Sequence, residues 1–259
     1  MSNETSWQSS ISEIGVNVIR NRGYDVAELM EKVSFSDAIY LILKGELPDK
    51  KSSEMFRAIL VSSIDHGITP PSVLATRTVM SAGNPLNTAV AAGIMAIGDV
   101  HGGAIEQSAR IMQELARKEG DLHELAVNLI KDLNTRKQRM PGFGHRLHTA
   151  DPRTAMLFEI AKRNEFNGRH VQLALALEKA FVEINGKSLP INVDGAIAAV
   201  ISDMGFDWRL GKSFFMISRI AGLVAHAYEE KTTQKPMRKL GDTSAVYAGH
   251  VKRAISNQQ

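Results

Sequence analysis

Apolar residues recur at helical spacing along almost the whole chain, and this restricts what it can fold into more than any other feature. Leu122, Leu125, Ala126, Leu129, Ile130 and Leu133 fall on the i, i+3, i+4, i+7 stripe of one buried helix face. Asp121 and Glu124 stand ahead of that stripe in capping-box positions, where they satisfy first-turn amides. Asp25 with Glu28 repeats the device. Ser34 opens a helix through Ile39, Ile42 and Leu43, and Gly45 ends it because glycine takes positive φ without a Cβ clash. Asp151-Pro152 reads as an N-cap followed by proline at the first helical position. Further helices are expected near 53–64, 72–82, 86–97, 103–118, 168–184, 195–204 and 212–230. Only the stretch from Trp7 to Arg20 reads as extended, a hairpin turning near Gly15. With no strand–helix alternation a parallel sheet is not expected, and the fold class is all-α.

Composition removes several function classes. The 259 residues are 44% hydrophobic and 23% charged, the balance of an ordinary globular chain. No run approaches the ~20 apolar residues that span a bilayer, and the first ten residues lack the basic-then-apolar layout of a secretion signal. There is no cysteine, so disulfide and thiolate chemistry are excluded. The expectation is a cytoplasmic enzyme with no membrane partner. The net charge of +3 comes from 31 basic and 28 acidic residues, interspersed, and the basic clusters at 136–139 and 235–239 are short. With aromatics at only 6%, this is not the basic stripe of a nucleic-acid binder. Pockets for a small polyanion fit better.

Three glycine-containing segments break the helical pattern, and each carries a histidine or a carboxylate. The first runs from Gly98 through His101-Gly102-Gly103 to Ala104. Flanking glycines let the backbone approach a ligand while an imidazole projects beside it. The second is Met140-Pro141-Gly142-Phe143-Gly144-His145-Arg146, followed by Asp151-Pro152-Arg153. The third is Leu189-Pro190-Ile191-Asn192-Val193-Asp194-Gly195, a lone carboxylate in an apolar stretch where a helix begins. Taken singly, each has a plain reading. His101 is also a turn residue, Asp194 a helix cap, Arg153 a surface residue of a first turn, and Asp65-His66-Gly67 a helix stop. No metal site is expected: there is no HExxH and no cysteine, and His145 with His148 lacks a following carboxylate pattern. Walker, GxGxxG and GxSxG motifs are absent.

In order and together, these segments resemble the citrate synthase superfamily. The match runs from Arg22-Gly23-Tyr24-Asp25 and Gly45-Glu46-Leu47-Pro48 through Asp65-His66, His101-Gly102-Gly103-Ala104 and Pro141-Gly142-Phe143-Gly144-His145. It continues through Asp151-Pro152-Arg153 and Asn192-Val193-Asp194 to Ser218-Arg219. The resemblance implies a two-domain helical subunit in an obligate dimer. Residues 103–206 would form a small CoA-binding domain inserted in a large dimerisation domain built from 1–102 and 207–259. Only 16 residues separate Pro48 from Asp65, where citrate synthases carry a long helical segment. That trimming, with Arg146 after His145 and Gly195 after Asp194, resembles citryl-CoA lyase and the C-terminal module of ATP citrate lyase. The latter lacks a histidine where His101 stands, so the site keeps a synthase-like element.

The resemblance also implies roles. His145 would serve the hydroxyl or carbonyl oxygen of the oxaloacetate half, His101 would donate to the thioester oxygen, and Asp194 would move the proton at the enol carbon. Arg153 and Arg219 would hold carboxylates, with His66 on the keto or hydroxyl side and Arg238 reaching the neighbouring subunit's site. Coenzyme A, part of the substrate and not a tightly bound cofactor, would lie along Pro141, Gly142, Phe143 and Gly144. Arg146, Lys187 and Lys137 are candidates for its phosphates. The implied reaction is cleavage of citryl-CoA to acetyl-CoA and oxaloacetate, in a homodimer or higher homo-oligomer fed by a citryl-CoA synthetase. Alternatives are a citrate or 2-methylcitrate synthase and a non-catalytic partner subunit. His123, His148, His170, His226 and His250 are read as structural or solvent-facing.

Overall fold

The computed structural model describes residues 7–144, 151–238 and 248–249. At its centre lies α10 (Val193–Asp203), buried at every position from Gly195 to Ser202. A helix apolar on all sides needs neighbours all round. Here they are α6 (Ala104–Ala116), α8 (Pro152–Arg163) and α9 (Arg169–Asn185), with α7 (Leu122–Thr135) packed behind α9. The longest helix, α11 (Gly211–Thr233), follows a turn of 3-10 helix at Trp208–Leu210. It packs against α3 (Lys50–Ser62), α4 (Pro71–Ser81), α5 (Leu86–Met95) and α6. Short helices α1 (Val26–Lys32) and α2 (Phe35–Lys44) complete the set near the amino end.

The fold is all-α, with one small antiparallel sheet in the order β1 (Ser12–Gly15), β2 (Val18–Asn21), β3 (Tyr24–Asp25). The expected hairpin is present, with Gly15 opposite Val18 at its tip and Asn17 at φ 58°. The third strand was not legible, since two residues are too short for a period. Among the described residues no helix is long and apolar enough to cross a membrane.

Helix ends follow side-chain chemistry. Asp121 Oδ1 accepts from the N–H groups of His123 and Glu124, as its capping position predicts. Gly45 ends α2 at φ 92°, its N–H bonded to Leu41 O at 2.8 Å. Asp25 caps α1 through Ala27 N, while Glu28 pairs with Lys32. Two helices start earlier than periodicity indicates. Asp49 caps Ser52 N at 2.7 Å, so α3 begins at Lys50 rather than near 53. Asn192 caps α10, which begins at Val193 rather than 195.

One continuous core runs from Tyr40 in α2 to Phe215 in α11. Its aromatic centre joins Tyr40, Phe56, Phe206 and Phe214 mostly edge to face, at centroid distances of 5.1 to 5.8 Å between T-shaped pairs. Such pairs add to area burial because ring edges and faces carry opposite partial charge. Phe56 is fully buried at the junction. Phe56→Ala is expected to cost about 3–5 kcal/mol in chemical denaturation, from lost transfer energy and the residual cavity.

Candidate active site

The second and third glycine segments are zipped together. Gly144 N donates to Pro190 O at 2.7 Å, Asn192 N to Gly142 O at 3.1 Å, and Asn192 Nδ2 to Gly144 O at 2.8 Å. Phe143 pairs with Ile191 between them and packs on Phe181. The approach is too close for a side chain: a Cβ on Gly195 would stand 2.2 Å from Gly142 O. Gly142 has φ +81°, which also favours glycine. These contacts fix where α10 starts, and so where Asp194 stands.

Asp194 is not the helix cap. Asn192 Oδ1 takes that role, accepting from Asp194 N at 3.0 Å and Gly195 N at 3.2 Å. The Asp194 side chain instead lines a cavity of about 360 Å³, together with His66, Pro71, His101, Gly144, Arg153 and Arg219. Burial pushes its pKa up to about 6, against the pull of the Arg153 and Arg219 charges. Desolvation therefore outweighs two nearby cations.

The first segment presents His101. Gly98 and His101 exchange both backbone hydrogen bonds at 3.0 Å, and Gly103 N also donates to Gly98 O. Gly102 has φ +83°, and a Cβ there would meet the Phe215 ring at 2.6 Å. The imidazole stands edge-on to that ring, 5.6 Å between centroids. Its Nε2 lies 2.8 Å from Ser72 Oγ and 3.4 Å from Ser72 N, in the first turn of α4. A backbone N–H can only donate, so Nε2 accepts and Nδ1 carries the proton. Burial, then the Arg219 charge, lower the His101 pKa. The ring is thus a neutral hydrogen-bond donor.

Arg219 is almost fully buried in α11. Its Nε donates to Ser63 O at 3.1 Å and its guanidinium lies over Phe215 at 4.5 Å. Its Nη1 is buried without a hydrogen-bond partner among the described residues. A buried cationic donor left open is costly unless an anion reaches it. Arg153 differs, because Asp151 holds it bidentately at 2.8 and 3.0 Å, and its Nη1 lies 3.5 Å from Ser62 O.

The cavity thus gathers His66, His101, Gly144, Arg153, Asp194 and Arg219. Pro141 opens instead on a second cavity of about 550 Å³, beside Arg110, Arg139 and Trp208. Gly142 and Phe143 are buried and line neither. Lys187 is exposed and lines neither. Arg238 is bound by Glu230 at 2.6 and 2.8 Å, away from the lining of its own chain's cavity. His145 and Arg146 lie outside the described residues. Ser72 had no signal in the sequence; its role follows from the fold of α4 against the 98–103 turn.

Two outcomes follow from this geometry. A raised carboxyl favours the folded state below its unfolded pKa of 3.8, and that advantage is lost as pH rises through about 6. Asp194→Asn should therefore stabilise the fold by about 1–3 kcal/mol at pH 8 and by little at pH 4, read as melting temperature at both pH values. Gly195→Ala should destabilise by about 1–3 kcal/mol in chemical denaturation, because two backbone segments must separate.

The family model described as "Citrate synthase, C-terminal domain" matches residues 1–60 and 49–240. Citrate synthase 2 of Bacillus subtilis is 27% identical over 224 residues, 85% of this chain and 59% of its own length. The chain thus spans under two thirds of that curated relative. The solved structure of citryl-CoA lyase from Hydrogenobacter thermophilus is 46% identical with a TM-score of 0.90, covering 96% of this chain and 97% of that one. ATP citrate lyase from Methanothrix soehngenii, solved with citrate and coenzyme A, shares the fold at 21% identity and a TM-score of 0.83, over 97% of this chain and 43% of that one. Motif order, fold and family match agree, and the chain belongs to the citrate synthase family.

Proposed function

We propose that the protein is a citryl-CoA lyase, cleaving citryl-CoA to acetyl-CoA and oxaloacetate. The observation that carries this reading is its likeness to the Hydrogenobacter thermophilus enzyme, at 46% identity over nearly the full length of both chains. The cavity suits the chemistry. Arg219 Nη1 offers a buried donor for a carboxylate, and Asp194 has its pKa pushed up to about 6, near neutrality.

In this mechanism His145 accepts the proton of the tertiary hydroxyl. The carbon–carbon bond electrons pass to the thioester, forming the enolate of acetyl-CoA, and a keto group forms on the oxaloacetate half. His101 donates from Nδ1 to the enolate oxygen, where a positioned donor in a water-poor site is worth most. Asp194 in its protonated form delivers a proton to the terminal carbon. A carboxyl with a pKa near the working pH can both give and take that proton. Arg153, Arg219 and His66 hold the acid half, and Arg238 acts in the neighbouring subunit's site. Coenzyme A, as part of the substrate, lies along Pro141 to Gly144 with Arg146 and Lys187 at its phosphates. Residues 103–206 form the domain that closes over the substrate in a cytoplasmic homodimer, and a separate citryl-CoA synthetase supplies it.

A second reading, a short citrate synthase, is favoured by the presence of His101 and by the Bacillus subtilis relative. Two assays separate them. Citryl-CoA cleavage is followed as oxaloacetate through malate dehydrogenase, and condensation of acetyl-CoA with oxaloacetate as free CoA. Fast cleavage with little free CoA is expected; rapid CoA release would make the protein a synthase, and silence in both would overturn both readings. Asp194→Asn is expected to lower turnover by about 10²–10⁴ with CoA-ester binding retained. Near-normal turnover would sink its proton-transfer role.

A further inference from the structure

The turn that carries His66 is seated on one stripe of α11. Ser63 O accepts from Arg219 Nε at 3.1 Å. One helical turn on, Ile64 O lies against Gly222 so closely that a Cβ there would stand 2.5 Å away. A further turn along, Asp65 Oδ1 meets His226 Nε2 at 3.0 Å. Positions 219, 222 and 226 share a helix face, since residues three and four apart are neighbours. Three consecutive residues of the turn are thus fastened at three successive points, and the next residue is His66, in the wall of the cavity.

The third fastening has a defined polarity. Arg77 Nη1 lies 3.4 Å from His226 Nδ1. Guanidinium can only donate, so Nδ1 accepts and Nε2–H is left to donate to Asp65. Arg77 is itself held from α4 by Glu229 and Glu230, both at 2.7 Å, with the Glu230 side chain 1% exposed. Arg238 donates to both Glu230 oxygens, sharing Oε2 with Arg77. His226 is therefore locked in ring orientation and tautomer by buried charge, although it never reaches the cavity. Burial raises the Asp65 carboxyl, but Gly67 N–H and His226 outweigh it and hold it below its ordinary value.

We infer that His226 is a positioning residue for the acid-binding wall of the cavity, acting through Asp65 to hold His66, with Arg77 setting its tautomer. This rests on the reading that the cavity receives the oxaloacetate half of the substrate. The Asp65–His226 contact is the only side-chain fastening of the three that a substitution can remove without adding bulk or disturbing Arg219.

The test compares His226→Ala and His226→Gln with the native chain. Glutamine carries an amide donor near the place of Nε2, and alanine carries none. Oxaloacetate affinity by calorimetry is expected to fall about tenfold in His226→Ala and to recover within about threefold in His226→Gln, the scale of one hydrogen bond to a charged group. The His66 ring resonance, assigned with His66→Gln in histidine-labelled protein, should shift or broaden in His226→Ala and return in His226→Gln. Asp65→Ala, which removes the accepting oxygen, should mimic His226→Ala and serves if that variant does not fold. A lower melting temperature with the His66 resonance unmoved would overturn the inference and leave His226 a fold-stabilising residue. Native protein that binds no oxaloacetate would sink the reading of the cavity, while the His66 resonance would still decide whether His226 positions it.

Discussion

The contact between Gly142 and Gly195 determines where the first turn of α10, and with it Asp194, stands. Two backbone segments, 53 positions apart in sequence, meet with no room for a side chain on either. That approach allows the hydrogen bonds between 142–144 and 190–192, and those bonds fix the first turn of α10. Because α10 is buried on every side, its first turn is also where the chain leaves the core for the cavity wall. A carboxylate placed there is rigidly held and partly desolvated at once.

The electrostatics of the site follow from that placement. An unpaired carboxylate in a buried helix would be costly, and two arginines nearby only partly offset the cost, so the Asp194 pKa stays near 6. Arg153 is already engaged by Asp151, while Arg219 keeps one buried donor without a partner among the described residues. The same burial and the Arg219 charge keep His101 neutral, and Ser72 selects its tautomer. An acid, a neutral donor and an incompletely satisfied cation are thus held within one cavity of about 360 Å³. Such an arrangement is less stable than a fully satisfied one, which is the usual condition of a site prepared for a charged ligand.

Helix α11 links these groups to the rest of the molecule. One of its faces supplies Arg219, Gly222 and His226 to the 63–66 turn, and Phe215 supports both His101 and Arg219. Its far end joins the Arg77–Glu230–Arg238 cluster, in which Arg77 and Glu230 are buried. Removing one member of such a cluster leaves an uncompensated buried charge, so the cluster acts as a rigid anchor rather than a set of separable pairs.

Much of this was legible in the chain. The 3.6-residue period, the caps at Asp121 and Asp151 and the stop at Gly45 determined an all-α fold, because helix formation depends on neighbours a few positions away. The interruptions at 98–104, 140–144 and 189–195 marked segments that contribute to the cavity wall, because glycine and proline carry their backbone restrictions with them. What the residues alone left open was which of two adjacent polar side chains does what. Asn192 rather than Asp194 caps α10, Asp49 starts α3 early, and His226, read as structural or solvent-facing, pairs with Asp65. The first two are local caps, two or three positions from the amides they satisfy. The Asp65–His226 pair, however, spans 161 positions, which no local pattern encodes, and burial changes the chemistry of a carboxylate or an imidazole without changing its identity.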